Sequence, residues 1–291
     1  MTHTPRRAFR ATALLATALV ALAACVGGSS GRAGDHGDDH GTGVSHVHGL
    51  GVNPGDGKVY VATHDGVYRI EAPGKATRVG TSRQDTMGFT VIGKNTFLGS
   101  GHPAPDEGGP AHLGLIESTD AGVTWQRHSL AGEADFHVLE YAHGTVYGYD
   151  STSATLRVST DKKTWDDRAR LAAADIEVHP TDPNTVLATT EQGVVRSTDG
   201  GRTFRPTSGG TLQMLLAWPT TVSLYAVDPA GTLSVSVDGG NTWKAISTIP
   251  GGRPQAFEAV DQRRLLAVTG EGIYESRDGG ATFTQLLPLS Q

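Results

Sequence analysis

The chain has 291 residues, which is enough for one large domain or two small ones. It contains 39 glycines, with 6% aromatic and 19% charged residues, and this composition disfavours a helical bundle or a coiled coil. The net charge is −6 and the chain after residue 24 has no run of lysine and arginine, which argues against a nucleic-acid-binding protein. A single cysteine, Cys25, excludes an internal disulfide framework and any cysteine-rich metal site.

Residues 1–24 have the pattern of an export signal. Three arginines within the first ten residues precede an apolar run of about 14 residues, which is too short to span a bilayer comfortably. The run ends in the letters LAAC, which resemble the lipobox of bacterial lipoproteins. This resemblance implies cleavage before Cys25 and acylation of Cys25, whereas the alternative is an ordinary secretory signal with an unrelated cysteine. We therefore expect an extracytoplasmic protein that a lipid on Cys25 anchors to the cell membrane.

The composition of residues 25–43 predicts a flexible tether that begins at the acylated cysteine. The segment is rich in glycine, serine and aspartate and has almost no apolar side chains, so it cannot bury enough surface to fold. His36 and His40 lie among aspartates, and such tracts either bind metal loosely or serve only as soluble linkers.

The remainder of the chain is an internal repeat. Five copies of the pattern S-x-D-x-G-x-T-W/F follow one another at intervals of 41, 38, 39 and 40 residues, and they begin at Ser118, Ser159, Ser197, Ser236 and Ser276. The copy at Ser159 is one residue short and lacks the glycine. The aspartate can accept hydrogen bonds from turn N–H groups, and glycine permits a positive φ. We therefore interpret each copy as a structural hairpin turn.

Each unit of about 40 residues holds four short strands. Six such units fill residues 44–288, and the first unit has the strands without the turn pattern. The sequence therefore predicts an all-β fold, a monomeric six-bladed β-propeller in which the repeated turns join the third and fourth strand of a blade. It indicates no exchange of strands between the chain ends, and it leaves open how the ring closes.

Propeller connectivity places the polar residues on two faces. Connections before the first strand and after the second strand of each blade lie on one face, and the repeated turns lie on the other. On the first face, blades 1–3 are rich in histidine and blades 4–6 have none. Imidazole suits copper or zinc. The predicted metal ligands are His46, His48, His64, His102 and His137. Further ligand-binding candidates on this face are Asp65, Asp106 and Tyr149. The alternative is that each histidine makes only local hydrogen bonds, as we infer for His112 and His143.

The repeated turn resembles the Asp box, or BNR repeat, of the sialidase superfamily. The segments HVHGLG, ATHDG, DTMGFT, SGHP and GEADFH are similar to those of exported bacterial propellers described as sialidase-like or glycosylhydrolase-like. This resemblance implies a glycoside hydrolase acting on extracellular glycans. It supplies no catalytic residue, and from their place on the histidine-rich face Asp85 and Asp135 are the candidate catalytic carboxylates. In the metal hypothesis the same two aspartates bind the ion or hydrogen-bond to its histidine ligands. The residues themselves favour the binding of a glycan, a metal or a protein, because aromatic side chains on this face are few (Phe89, Phe136 and Tyr149). Whether the protein is an enzyme stays open at this point.

Overall fold

The computed structural model describes residues 44–289, so Cys25 and the tether lie outside the described residues. The described range forms six antiparallel sheets of four strands, and each sheet contains four strands that are consecutive in the chain. The predicted all-β, six-bladed propeller is therefore confirmed. Between residues 44 and 289, no helix is long and apolar enough to cross a membrane.

The first three blades carry the histidine-rich connections. Blade 1 consists of β1 (Val47–Val52), β2 (Val59–Thr63), β3 (Gly66–Ala72) and β4 (Lys75–Arg78). Blade 2 consists of β5 (Asp85–Gly93), β6 (Thr96–His102), β7 (Leu115–Ser118) and β8 (Gln126–Ser129). Blade 3 consists of β9 (Phe136–Ala142), β10 (Thr145–Asp150), β11 (Thr155–Ser159) and β12 (Asp166–Arg170).

The last three blades repeat the same order. Blade 4 consists of β13 (Asp175–Val178), β14 (Val186–Thr190), β15 (Gly193–Ser197) and β16 (Arg205–Pro206). Blade 5 consists of β17 (Leu215–Thr220), β18 (Ser223–Val227), β19 (Thr232–Ser236) and β20 (Lys244–Thr248). Blade 6 consists of β21 (Pro254–Ala259), β22 (Leu265–Thr269), β23 (Gly272–Ser276) and β24 (Thr284–Pro288).

Apolar packing closes the ring. The innermost strand β1 of blade 1 contacts β21 of blade 6, as neighbouring innermost strands do around the rest of the ring. One hydrophobic cluster joins Val47 and Leu50 of blade 1 to Leu266 and Val268 of blade 6. Within residues 44–289, no strand is exchanged between these two sheets. Burial of apolar surface between the first and last blades thus closes the ring, a point that the sequence left open.

The Asp boxes join the third and fourth strands, as predicted. In blade 5, Asp238 Oδ1 accepts a hydrogen bond from the Thr242 backbone N–H at 2.9 Å, and Oδ2 accepts one from the Thr242 hydroxyl at 2.7 Å. The Thr242 hydroxyl and backbone lower the pKa of Asp238 to about 2. Gly240 has a φ of +91° and places its N–H 2.7 Å from the Ser236 hydroxyl oxygen. The residues of the turn pattern therefore stabilise the hairpin through hydrogen bonds within the turn itself.

Candidate metal centre

Irregularities in the innermost strands aim two histidines towards the propeller axis. The pairing of β1 with β2 shifts register between Val47 and Gly49, which leaves His48 as an extra residue. The pairing of β9 with β10 skips His137 in the same way. Such β-bulges bend a strand and redirect a side chain. Both histidines line one axial cavity of about 270 Å³, together with Met87 and Gln255, which lie at register shifts of β5 and β21.

Three ligand atoms from blades 1 and 2 converge beside this cavity. His48 Nε2 lies 3.3 Å from His64 Nδ1 and 3.5 Å from Asp85 Oδ1, and His64 Nδ1 lies 2.8 Å from Asp85 Oδ1. These distances form a triangle whose corners lie about 1.9 Å from a common centre, and zinc–ligand bonds measure about 2.0–2.2 Å. We call His48, His64 and Asp85 the tripod. An ion slightly above its plane can contact all three atoms.

The electrostatics of the tripod favour a cation. Burial and the neighbouring His64 lower the pKa of His48 to about 4, although Asp85 opposes the shift, so His48 is neutral at pH 7 and keeps a lone pair for a metal. Asp85 Oδ1 is buried and, among residues 44–289, has no hydrogen-bond partner, because the approach of His64 lacks hydrogen-bond geometry. A buried carboxylate oxygen without a partner is costly unless a cation satisfies it.

His46 lies next to the tripod. Its ring centroid is 5.2 Å from that of His64, and its φ of +46° is unusual for a residue with a side chain. Residues held in sparsely populated backbone conformations cluster at functional sites. A rotamer change could therefore bring a fourth imidazole to the tripod.

The other predicted histidines belong to a second cluster. His102 Nε2 lies 3.6 Å and His137 Nε2 lies 2.9 Å from Asp135 Oδ2. His112 Nδ1 lies 4.0 Å from the same oxygen. We call His102, His112 and Asp135 the second cluster, to which His137 adds a hydrogen bond. The five predicted histidines thus divide between two groups and do not converge on one point.

The remaining candidates have other surroundings. Asp65 forms ion pairs with Arg83 at 2.7 Å and with Arg78 at 3.0 Å. Asp106 is exposed on the loop after β6. Tyr149 packs within a hydrophobic cluster of blades 3 and 4, and the two phenylalanines considered for sugar stacking, Phe89 and Phe136, are also buried in the core. None of these three rings presents a face for a sugar.

Sequence reasoning missed His112. It interpreted this residue as incidental, yet the loop from Pro103 folds back so that the Leu113 N–H donates to the Gly101 carbonyl at 2.8 Å. The ring centroid of His112 then lies 5.3 Å from that of His102. The signal was available, because this loop follows a second strand and therefore belongs to the histidine-bearing face.

The paired strands β5 and β6 contribute to both groups. Asp85 of the tripod and His102 of the second cluster are direct partners in the β5–β6 pairing. Gly101, with a φ of +138°, lets the two strands approach, because a Cβ there would lie 2.0 Å from the Asp85 carbonyl oxygen. Gly101 therefore supports both groups at once.

The axial cavity also contains carboxylates. Glu140 and Glu258 line it, together with Asp175 and Glu177. Burial, followed by the charge of Glu258, raises the pKa of Glu140 to about 8, and burial followed by the charge of Asp175 raises the pKa of Glu258 to about 7. At neutral pH these carboxyl groups are therefore partly protonated and partly ionised.

Comparison with solved structures shows which propellers the fold resembles. The GH74 enzyme of Niastella koreensis matches with a TM-score of 0.62 at 16% identity, over 84% of this chain and 45% of that chain. An ancestral GH74 enzyme matches with a TM-score of 0.54 at 15% identity, over 85% of this chain and 38% of that chain. A Ycf48 structure with bound D1 peptide matches with a TM-score of 0.52 at 14% identity, over 84% and 83% of the two chains.

The likeness concerns the fold. The chain is a six-bladed propeller similar in structure to GH74 and Ycf48 proteins at low identity, and it spans less than half the length of these GH74 enzymes. No family model matches the sequence. No curated protein matches it significantly. Function must therefore be argued from the site.

Proposed function

We propose that this chain is a metal-binding propeller, in which His48 Nε2, His64 Nδ1 and Asp85 Oδ1 bind one copper or zinc ion. The observation that carries this proposal is the convergence of the three atoms on a point about 2 Å from each. The carboxylate oxygen is buried and makes no hydrogen bond within residues 44–289, although the two imidazole nitrogens lie 2.8 and 3.5 Å from it. A local structural role would give that oxygen a hydrogen bond inside the protein.

The ligand chemistry narrows the choice of metal. Two imidazoles and one carboxylate suit first-row transition metals such as zinc, copper and iron(II), whereas calcium and magnesium take oxygen ligands. Of these transition metals we propose zinc or copper. Three protein ligands also leave a position open, as in zinc sites that bind water or substrate. His46 or an external ligand would fill that position. His64 is 46% exposed at its side chain, so the ion can enter from solvent.

Zinc titration of the full chain, with His36 and His40 replaced by alanine, tests the proposal. In this background the tether supplies no imidazole. His64→Ala should weaken the tightest zinc site at least 100-fold in competition with a chromophoric chelator, since it removes one of three ligands. His143→Ala is the control, because His143 is exposed and its ring contacts the His179 carbonyl. Equal zinc affinity of His64→Ala and the background would overturn the proposal.

The same proposal places this metal site outside the cytoplasm, on a membrane anchor. It rests on the lipobox-like sequence ending at Cys25, and acyl chains contribute about 0.8 kcal/mol per buried CH₂. Radiolabelled palmitate should label the wild-type chain and should not label Cys25→Ser. Labelling of both chains, or of neither, would contradict the anchor and leave the metal proposal intact.

Glycoside hydrolysis has weaker support. The likeness to GH74 enzymes shows the fold alone, and the two candidate carboxylates face imidazoles. Burial would raise the pKa of Asp135, but the hydrogen bond with His137 and the charges of three imidazoles together hold it below its ordinary value. A general acid for glycoside hydrolysis needs the opposite shift. Asp135 therefore does not fit the general-acid role, and we favour metal binding for Asp85 and Asp135 because each faces imidazoles.

A further inference from the structure

A second group of ligand atoms lies where blade 2 meets blade 3. His102 comes from the end of β6, His112 from the loop after β6, and Asp135 from the residue before β9. One ligand atom from each lies within 4.8 Å of the other two. The three residues come from two blades, and none of them belongs to the tripod.

Asp135 is buried, and hydrogen bonds hold its carboxylate in place. The residue is only 4% exposed, and its Oδ1 atom is buried with no hydrogen-bond partner in the range 44–289. Its Oδ2 atom accepts hydrogen bonds from His137 at 2.9 Å and from the Ser151 hydroxyl at 3.3 Å. The Asp135 backbone N–H donates to Asp150 Oδ1 at 3.2 Å. Two hydrogen bonds to Oδ2 therefore orient the carboxylate, a third holds the backbone beside it, and Oδ1 has no hydrogen-bond partner in the range 44–289.

The two histidines are prepared for an ion in different ways. His102 Nδ1 lies 2.9 Å from the Ala111 carbonyl oxygen, to which it can only donate, so Nε2 is the ring nitrogen left for a metal, and it lies 3.6 Å from Asp135 Oδ2. A carbonyl that holds the distal ring N–H is the usual support of a metal-binding histidine. His112 Nδ1 is buried and has no hydrogen-bond partner in the described part of the chain.

The geometry points to a second metal site, in which His102, His112 and Asp135 bind one zinc or copper ion independently of the tripod. Nitrogens lie 3.6 and 4.0 Å from Asp135 Oδ2, and ligand atoms around tetrahedral zinc are separated by about 3.3 Å. The rings must therefore move inward on binding, by about 0.7 Å in the case of the His112 nitrogen relative to Asp135 Oδ2. The tripod needs less movement, so the second ion should bind at least ten-fold more weakly.

The His36→Ala, His40→Ala background again removes the tether imidazoles for the test. Zinc titration should show two ions per chain, the second weaker. His112→Ala should remove the weaker ion alone, and His64→Ala should remove the tighter ion alone. Copper(II) paramagnetic resonance should show two signals with nitrogen couplings, one of which disappears in each variant. Glu107→Ala, in the same loop as His112, is the matched control and should keep both ions.

Distinct outcomes separate the two proposals. One ion per chain that His64→Ala removes and His112→Ala leaves would overturn the second site while the tripod stands. One ion that either substitution removes would show a shared site and would also overturn it. Asp135→Asn guards against misfolding of the loop, because Asp135 lies outside the loop, next to β9, and its amide keeps the shape of the carboxylate. This variant should repeat the effect of His112→Ala. Thermal unfolding of each metal-free variant must stay cooperative for its titration to count.

Discussion

Carboxylates on the two faces of the propeller have opposite surroundings. In the Asp box, Asp238 is surrounded by donors from its own hairpin, within four residues in the chain. On the histidine face, Asp85 meets His48 and His64, which lie 37 and 21 residues earlier. The oxygens of Asp238 are satisfied where they stand, whereas Asp85 keeps a buried oxygen without a hydrogen-bond partner among residues 44–289.

This difference separates a folding role from a binding role. A carboxylate whose partners are local stabilises the turn that creates it, and it needs no other part of the molecule. A carboxylate whose partners come from a neighbouring blade requires the packing of the two blades, and its unsatisfied oxygen costs stability unless a ligand binds. The same residue type therefore has two functions, and the sequence distance to its partners distinguishes them.

Gly101→Ala should have the largest effect on the histidine face. The new Cβ would lie 2.0 Å from the Asp85 carbonyl oxygen, so β5 and β6 must separate. Because Asp85 and His102 face each other across this pair, both metal groups should lose at least 100-fold in zinc affinity. A close clash with backbone also destabilises the fold by about 1–3 kcal/mol. Zinc titration and thermal unfolding measure the two effects.

Gly144→Ala is the matched control for that substitution. Gly144 also has a positive φ, of +73°, but a Cβ added there would meet no heavy atom within 4 Å among residues 44–289. It should cost about 1 kcal/mol from backbone strain and leave zinc binding unchanged. Tight zinc binding by Gly101→Ala would show that the two strands do not position the ligands.

The fold could be predicted from the sequence, because its determinants are local and repeated. Each Asp box satisfies its own hydrogen bonds, so five spaced copies are enough to reveal the blades. The histidine face could be predicted in composition from connectivity. Its division into two groups could not, because it depends on the bulges at His48 and His137 and on the return of the loop that carries His112. A register shift of one residue has no sequence signature at these positions.

A paired substitution sharpens the comparison between the faces. Asp85→Ala should weaken zinc binding at the tripod at least 100-fold and leave the metal-free protein equally stable or slightly more stable, since it removes a buried unpartnered oxygen. Asp238→Ala should leave zinc binding unchanged and lower the Tm by about 2–4 °C, because its hairpin loses its internal acceptors. Calorimetry with and without zinc measures both. A destabilised metal-free Asp85→Ala protein, with unchanged zinc affinity, would give Asp85 a structural role.

The carboxylates of the axial cavity give the smallest expected effect on the protein, a pH dependence of its free energy of unfolding. They test whether buried carboxylates without cationic partners destabilise the fold when they ionise. Burial raises the pKa values of Glu258 and Asp175 to about 7, and that of Glu140 to about 8. Near neutral pH the folded protein therefore binds more protons at these groups than the unfolded chain, so their contribution to the free energy of unfolding is full below pH 4 and decreases as the pH rises towards 8. His48 also lines the cavity; burial lowers its pKa to about 4, and its contribution runs in the opposite direction below about pH 6.5.

Glu258→Gln isolates the carboxylate contribution between pH 6.5 and 8. The variant should be more stable than the wild type by roughly 1–2 kcal/mol at pH 8, because it removes a charge from the axis, and the difference should shrink towards pH 5. Denaturant unfolding in the presence of a chelator measures it without bound metal. Glu271→Gln, on the exposed loop of blade 6, is the control and should show no pH-dependent difference. If Glu258→Gln is instead less stable than the wild type at pH 8, the ionised carboxylate has a stabilising partner in the axial cavity. Glu258 would then resemble Asp238, whose oxygens are satisfied within the protein, rather than Asp85.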